Sequence, residues 1–210
     1  RKVRILNGAH TSMVLGAYLS GQNIVRECME DDVIQQFMNK TIYDEIIPTL
    51  TLPKEELEDF AASVTERFKN PFIDHSLLAI SLNSTSKWRA RVMPSLKGYV
   101  EKYGALPKCI TVSFAFYAAF YRGVRREENA MIGIRNRTNE YEIKDDKSVL
   151  DFMYEHKNDD CETYMKAICS NTALWGEDLT QIPGFVSAAK DALKKIEMEI
   201  YNNDDFAYTW

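Results

Sequence analysis

Three residues near the start of the chain are of types that could act together on a carbonyl or an alcohol. Lys2, Asn7 and His10 lie within the stretch KVRILNGAH. Removal of a lysine from water lowers its pKa, so that it can serve as a base near neutral pH. An asparagine amide can stabilise an oxyanion, and a histidine can orient a hydroxyl group. The residue types therefore favour proton transfer at a carbon–oxygen bond.

A helix over residues 2–10 would bring the three side chains onto one side. At about 100° per residue, Lys2, Asn7 and His10 point at about 0°, 140° and 80° around the helix axis. The same spacing also fits a surface lysine, a capping asparagine and a core histidine. On spacing alone, both interpretations stay open.

The remainder of the chain is patterned for helices that could position these residues. Apolar residues from Met13 to Cys28 recur at the helical spacing, with a break near Ser20 and Gly21. Pro53 and the acidic residues behind it predict a helix start, and Gly104 before Pro107 predicts a helix end. Further helices are predicted over 31–47, within 50–68, and over 71–82, 86–103 (interrupted or bent around Pro94), 108–121, 148–157, 159–172 and 184–201.

Two segments need separate interpretation. The apolar run from Cys109 to Tyr121 is too short to cross about 30 Å of hydrocarbon, so we predict a buried core helix. Residues 122–147 are polar and weakly periodic, which predicts a long loop, with a small hairpin arm over Glu140 to Ile143. The chain is therefore predicted to be one mainly α-helical domain over residues 1–210.

Composition narrows the function classes. The chain has 210 residues, 45% of them hydrophobic and 27% charged, and a net charge of -5, which argues against a general nucleic-acid binder. No dinucleotide-binding or phosphate-loop fingerprint is present. The three histidines are far apart in sequence, which argues against a zinc site. The four cysteines lack CxxC spacing and lie among apolar neighbours, so we predict reduced core thiols and a cytoplasmic protein.

Three sequence motifs, the opening stretch and two further segments, occur together in this chain. KVRILNGAH resembles the K-x4-N-x2-H signature of the mannitol dehydrogenase family, the polyol-specific long-chain dehydrogenases. ERFKNPFIDHSLLAISLNSTSKWRARVMPSL (66–96) and LWGEDL (174–179) continue the resemblance, and NPFIDH with SLNSTSKW is most similar to the uronate branch. The resemblance implies an all-α, multi-helical bundle like the C-terminal domain of 6-phosphogluconate dehydrogenase. It also implies an N-terminal Rossmann-like domain, absent from this chain, that holds NAD.

The resemblance implies a role for each residue of the signature. Lys2 would be the general base in alcohol oxidation and the acid in the reverse reduction. Asn7 would hold the developing alkoxide, and His10 would position a substrate hydroxyl. Lys87 matches a family lysine that contacts substrate. Mannitol-type enzymes place an arginine eight residues before that lysine, where this chain has Ala79, which argues against a polyol such as mannitol.

A hexuronate substrate carries a carboxylate that the site must bind with cations or N–H donors. The stretch SKWRAR supplies Lys87, Arg89 and Arg91, and Arg67 is a further candidate. For the arginines, the alternative is the solvated face of an amphipathic helix. His75 is either a substrate contact or a core histidine.

The implied activity is NAD-dependent interconversion of tagaturonate and altronate, with this chain inactive on its own. Fructuronate or a neutral polyol as substrate is an alternative within the family. A helical interaction domain without enzymatic activity is an alternative of another class. The implied partners are a small sugar acid and the Rossmann domain, with neither nucleic acid nor membrane.

Overall fold

The computed structural model describes residues 2–72 and 74–202, and of residues 199–202 it describes the backbone alone. Over these residues the protein is mainly helical, as predicted. Most of the predicted helices are present with boundaries shifted by a few residues. The α-helices are α1 Gly8–Leu19, α2 Val25–Glu30, α3 Asp32–Lys40, α4 Lys54–Phe68, α5 Leu77–Ile80, α6 Ser84–Arg91, α7 Met93–Tyr103, α8 Lys108–Phe120, α9 Lys147–Glu155, α10 Cys161–Ser170, α11 Thr172–Trp175 and α12 Phe185–Asn202.

Helix ends follow local chemistry. Pro53 precedes the first residue of α4, and Glu55 and Glu56 lie in its first turn, where the helix dipole favours negative charge. Gly104 ends α7 with a φ of 63°, a left-handed conformation that glycine adopts without steric cost. An interruption or bend is predicted around Pro94, and the interruption is confirmed at Val92, because α6 ends at Arg91 and α7 begins at Met93.

Two segments are wound more widely than an α-helix. Lys2–Asn7 forms a π-helix that leads directly into α1, and Thr41–Ile46 forms another that follows α3. A short 3-10 turn, Ile47–Thr49, then closes the long helix predicted over 31–47. The π-helix is rare and occurs frequently at functional sites.

Helix α8 forms the centre of the core and packs against α1 and α12. All residues from Cys109 to Phe120 are buried, so the prediction of a core helix is confirmed. The ring of Phe114 contacts the indoles of Trp88 and Trp175, which are themselves 5.8 Å apart in an edge-to-face arrangement. These contacts join α6 and α11 to the central helix.

The buried start of α8 is capped by a carboxylate from another element. The Glu45 side chain accepts hydrogen bonds from the backbone N–H groups of Cys109 and Ile110, at 2.8 and 2.9 Å. Burial raises the pKa of Glu45, although these two hydrogen bonds favour its charged form. Glu45 therefore satisfies helix donors that have no partner within the helix.

The prediction of a long loop over 122–147 is wrong, because an antiparallel three-stranded sheet occupies most of it. Its order is β1 (Arg125–Arg126), β2 (Met131–Arg135) and β3 (Asn139–Ile143), so the suggested arm at Glu140 to Ile143 is a real strand. Gly133 lies opposite Tyr141, whose ring covers the position that a Cβ would take. Strand β2 buries three consecutive residues and only β3 alternates between buried and exposed side chains, which explains the weak periodicity.

Cysteine chemistry and hydropathy give two further results. All four cysteines are free thiols, with Cys28, Cys109 and Cys169 buried and Cys161 partly buried. Within residues 2–72 and 74–202, no helix has both the length and the apolar character required to cross a bilayer.

Candidate active site

The π-helix carries the first two candidate residues. Lys2 is exposed and Asn7 is partly buried. A π-helix joins residues i and i+5 by its hydrogen bonds, so Lys2 and Asn7 lie one turn apart on the same side. The α-helical spacing assumed from the sequence would separate them by about 140°. The π-helix therefore brings the two side chains closer together around the axis than an α-helix would.

The opposite side of the π-helix is anchored to the domain. Ile5 is fully buried, and the Arg4 guanidinium donates hydrogen bonds to the hydroxyls of Ser95 and Thr49, at 2.8 and 2.6 Å. Burial lowers the pKa of Arg4. These contacts fix the rotation of the segment.

His10 lies in the first turn of α1 against the end of α4. Its imidazole stacks on the ring of Phe68, with centroids 4.0 Å apart and planes inclined by 18°. The Nε2 atom is buried and has no hydrogen-bond partner among the described residues. Burial lowers the pKa of His10 to about 4, and the charges of His75 and Arg91 act in the same direction. His10 is therefore a neutral imidazole at neutral pH.

The start of α1 meets the end of α6 at backbone distance. A Cβ on Gly8 would stand 3.0 Å from the carbonyl oxygen of Arg91. The π-helix also packs against both α4 and α6. Because of these contacts, the turn that carries His10 lies beside the last turn of α6.

Helix α6 presents Lys87 and Arg91 at the i, i+4 spacing, which places them on one face. The Lys87 ammonium donates to the carbonyl oxygen of Ile80, at 2.7 Å, and so caps α5. Burial lowers the pKa of Lys87, and the charge of Arg91 adds to this effect, whereas Asp145 opposes it. Lys87 thus has a structural contact and two remaining donors.

Among the other predicted substrate contacts, Arg89 lies away from this face. Arg89 lies on the opposite side of α6, and its guanidinium lies over Gly176. It lines a cavity of about 210 Å³ together with Asp145 and Asp146, whose carboxylates repel an anion. Arg67 is exposed on α4. His75 is also exposed, but its charge acts on His10.

Sequence reasoning did not predict Phe68 or Asp145 as residues near the site. It named Arg91 but did not distinguish it from Arg89. The i, i+4 spacing from Lys87 could have selected Arg91 over Arg89, because Arg89 lies about 200° from Lys87 around the helix. Phe68 reaches the site from α4, and Asp145, which follows the sheet, acts on Lys87 through its charge. No signal in the sequence pairs either of them with a distant residue.

The described residues around the signature offer hydrogen-bonding and charged groups that a small polar substrate could use. His10 offers a buried imidazole nitrogen without a partner, and α6 offers two cations. Among residues 2–72 and 74–202, no group of three or more His, Cys, Asp or Glu side chains is arranged to hold a metal. The surroundings of Lys2, Asn7 and His10 contain no glycine-rich turn of the kind that cradles a dinucleotide pyrophosphate.

The class of protein follows from a match to a family model. The mannitol dehydrogenase C-terminal domain model matches residues 1–197, and the chain belongs to that family. The altronate oxidoreductase of Klebsiella pneumoniae is 44% identical over 192 residues, which cover 89% of this chain and 38% of that protein. The altronate oxidoreductase of Bacteroides thetaiotaomicron is 39% identical over 198 residues, covering 94% of this chain and 40% of that protein.

A solved structure has the same fold. The mannitol 2-dehydrogenase of Pseudomonas fluorescens, in a ternary complex with NAD and D-mannitol, superposes with a TM-score of 0.80 at 22% identity. The match covers 97% of this chain and 39% of that one. The all-helical class predicted from the sequence is confirmed, with the small sheet as an addition. The chain spans about two fifths of the length of the curated relatives that it matches.

Proposed function

We propose that this chain is the substrate-binding and proton-transfer part of an NAD-dependent oxidoreductase that interconverts tagaturonate and altronate. The observation that carries the proposal is the meeting of three elements. The π-helix with Lys2 and Asn7 continues into the turn with His10, and both pack against α6, the helix that bears Lys87. The names of relatives at 39 to 44% identity support the choice of substrate.

Each residue of the signature has a defined task in this reaction. Lys2 donates a proton to the substrate oxygen during reduction and removes it during oxidation. The Asn7 amide donates a hydrogen bond to the oxygen as negative charge develops on it. His10, held neutral and fixed by Phe68, exchanges a hydrogen bond with a substrate hydroxyl. The nicotinamide, when bound, supplies or accepts the hydride at the carbon that carries this oxygen.

The greater length of the relatives supports the proposal that a second domain completes the site. Removal from water is what lets a lysine exchange its proton near neutral pH, and this chain leaves the Lys2 side chain exposed. An N-terminal Rossmann-like domain that binds NAD would cover it. In this arrangement the 210-residue chain alone is inactive, because it lacks the cofactor and the cover. A cytoplasmic location forms part of the same proposal.

Replacement of Lys2 tests the assigned chemistry. In the full-length enzyme, Lys2→Met is expected to lower kcat for NADH-dependent tagaturonate reduction by about 10²- to 10⁴-fold, the range typical of a lost general acid. Lys166→Met is the matched control, since Lys166 is exposed on α10 and pairs with Glu162. The control should stay within about twofold of wild type. Undiminished activity of Lys2→Met would refute the role of Lys2.

Substrate choice and cofactor placement have separate tests. The kcat/KM value should be highest for tagaturonate, in keeping with the names of the relatives, and lowest for fructose, because Ala79 stands where mannitol-type enzymes have an arginine. A higher value for fructose than for either uronate would reject the uronate assignment. Fluorescence titration should show tight NADH binding by the full-length enzyme and none by the 210-residue chain. Tight binding by the chain alone would contradict the division of labour between the domains.

A further inference from the structure

We propose that Arg91, together with Lys87, forms the subsite that binds the carboxylate of the substrate. This inference rests on the proposed uronate chemistry and names the residues that would select an acid over a neutral sugar. Arg89, although it lies in the same basic stretch, is outside the subsite.

The first support is the direction of the side chains on α6. Lys87 and Arg91 are four residues apart and share a face, whereas Arg89 turns to Gly176. The backbone of Arg91 contacts Gly8, at the start of α1. A carboxylate bound by Arg91 would therefore lie next to the turn that carries His10. One small substrate could contact both helices.

The second support is an unbalanced positive charge. Arg91 is partly buried, and in the described part of the chain its guanidinium has neither a hydrogen bond nor an ion pair. Its charge disfavours the protonated forms of both Lys87 and His10, so all three groups are close enough to interact. Asp145 offsets part of the Lys87 charge, so the unpaired guanidinium of Arg91 is the main anion-binding group of the subsite. Two like charges on adjacent turns destabilise a helix unless an anion lies between them.

The third support is the buried Nε2 atom of His10, which lies in a partly buried side chain. This atom has no partner among the described residues, which is a rare condition for a buried polar group. A substrate bound beside Arg91 would bring hydroxyl and carboxylate oxygens next to this ring. The unpartnered imidazole and the unpaired guanidinium thus occur on the two helices that meet at Gly8.

The chemistry of the two cations suits a carboxylate. An arginine guanidinium presents two parallel N–H groups that match the two carboxylate oxygens. The Lys87 ammonium keeps two donors after its bond to Ile80 and adds a point charge. A neutral ketose has no group that uses this charge. The subsite would therefore discriminate between acid and neutral sugar by binding.

The test compares an acidic and a neutral substrate in the full-length enzyme. Arg91→Gln is expected to lower kcat/KM for tagaturonate by about 100-fold, mainly through KM, because a charged hydrogen-bond pair is lost. The value for fructose should change less than about threefold. Arg91→Lys should recover part of the loss. Arg89→Gln should change the ratio of kcat/KM for tagaturonate to kcat/KM for fructose far less than Arg91→Gln does. Arg125→Gln, at an exposed position of the sheet, should change kcat/KM for neither substrate.

The outcomes separate this inference from the proposed function. An equal loss for both substrates in Arg91→Gln, or a larger loss of selectivity in Arg89→Gln, would overturn the subsite. If the wild-type enzyme does not reduce tagaturonate, the proposed function fails. Calorimetric titration with altronate and with mannitol then tests the subsite by measuring binding, without any need for activity. Altronate binding that is lost in Arg91→Gln and kept in Arg125→Gln would support the subsite, and binding that is independent of Arg91, or absent from wild type, would overturn it.

Discussion

Gly8 and Arg91 are in contact through their backbones, with 3.0 Å between the position of a Cβ on Gly8 and the carbonyl oxygen of Arg91. The neighbour is a main-chain atom in a helix, so it cannot turn aside as the end of a flexible side chain could. The contact holds the two helices of the candidate site together. It also makes residue 8 sensitive to the addition of a single methyl group.

Gly8→Ala should therefore lower the free energy of unfolding by about 1–2 kcal/mol, because overpacking outweighs the better helix propensity of alanine. Urea unfolding of the 210-residue chain measures this change. Ser86→Thr is the control, since it adds one methyl group at an exposed position of α6. The control should remain within about 0.5 kcal/mol of wild type. Equal stability of Gly8→Ala would show that α1 and α6 can separate at no cost.

His10 should make the fold less stable in acid. Its pKa is about 4 in the folded chain, against an ordinary value of 6.5. As the pH falls through this window, the unfolded chain takes up a proton that the folded chain does not, so the free energy of unfolding decreases. His10→Phe keeps a ring against Phe68 and removes the titration. The free energy of unfolding of His10→Phe, measured relative to that of wild type, should rise by about 2 kcal/mol from pH 7 to pH 4.5.

Urea unfolding at the two pH values measures the effect of His10. Phe68→Leu is the companion variant, because it weakens the stacking and leaves the imidazole in place. We expect it to lose stability at both pH values and to keep most of the wild-type pH dependence. If His10→Phe and wild type respond equally to pH, the imidazole is not desolvated as the structure indicates.

Glu45 should be among the most sensitive positions outside the site. Glu45→Ala leaves the N–H groups of Cys109 and Ile110 buried without acceptors, at a cost of about 3 kcal/mol. Thermal and urea unfolding measure the loss. Glu55→Ala, in the exposed first turn of α4, is the control and should cost less than about 1 kcal/mol. Comparable losses for the two variants would argue against a structural role for the buried cap.

Much of the fold could be predicted from the sequence, because its helices carry local signals. Pro53 and Gly104 mark helix ends through backbone geometry, which operates within a few residues. The sheet over 125–143 gave a weaker signal, limited to the arm suggested at Glu140 to Ile143, since its strands are short and only β3 alternates between buried and exposed residues. The π-helix at Lys2–Asn7 could not be predicted either, because apolar periodicity does not distinguish it from an α-helix over six residues.

The candidate site was predictable to a different degree. The signature residues Lys2, Asn7 and His10 could be chosen from their types and spacing together with the family resemblance. The choice between Arg89 and Arg91 depended on the phase of α6, which the spacing from Lys87 contains. The stacking of His10 on Phe68 joins residues 58 positions apart, and such a pairing arises from tertiary packing alone.

The contact between Trp88 and Trp175 provides the protein with an intrinsic optical signal. Trp88 directly follows Lys87 in α6, and both indoles are fully buried. Their fluorescence intensity depends on the close geometry of the pair and of Phe114. Small movements of α6 on ligand entry would therefore change the emission, and rapid-mixing experiments could follow them without an attached dye.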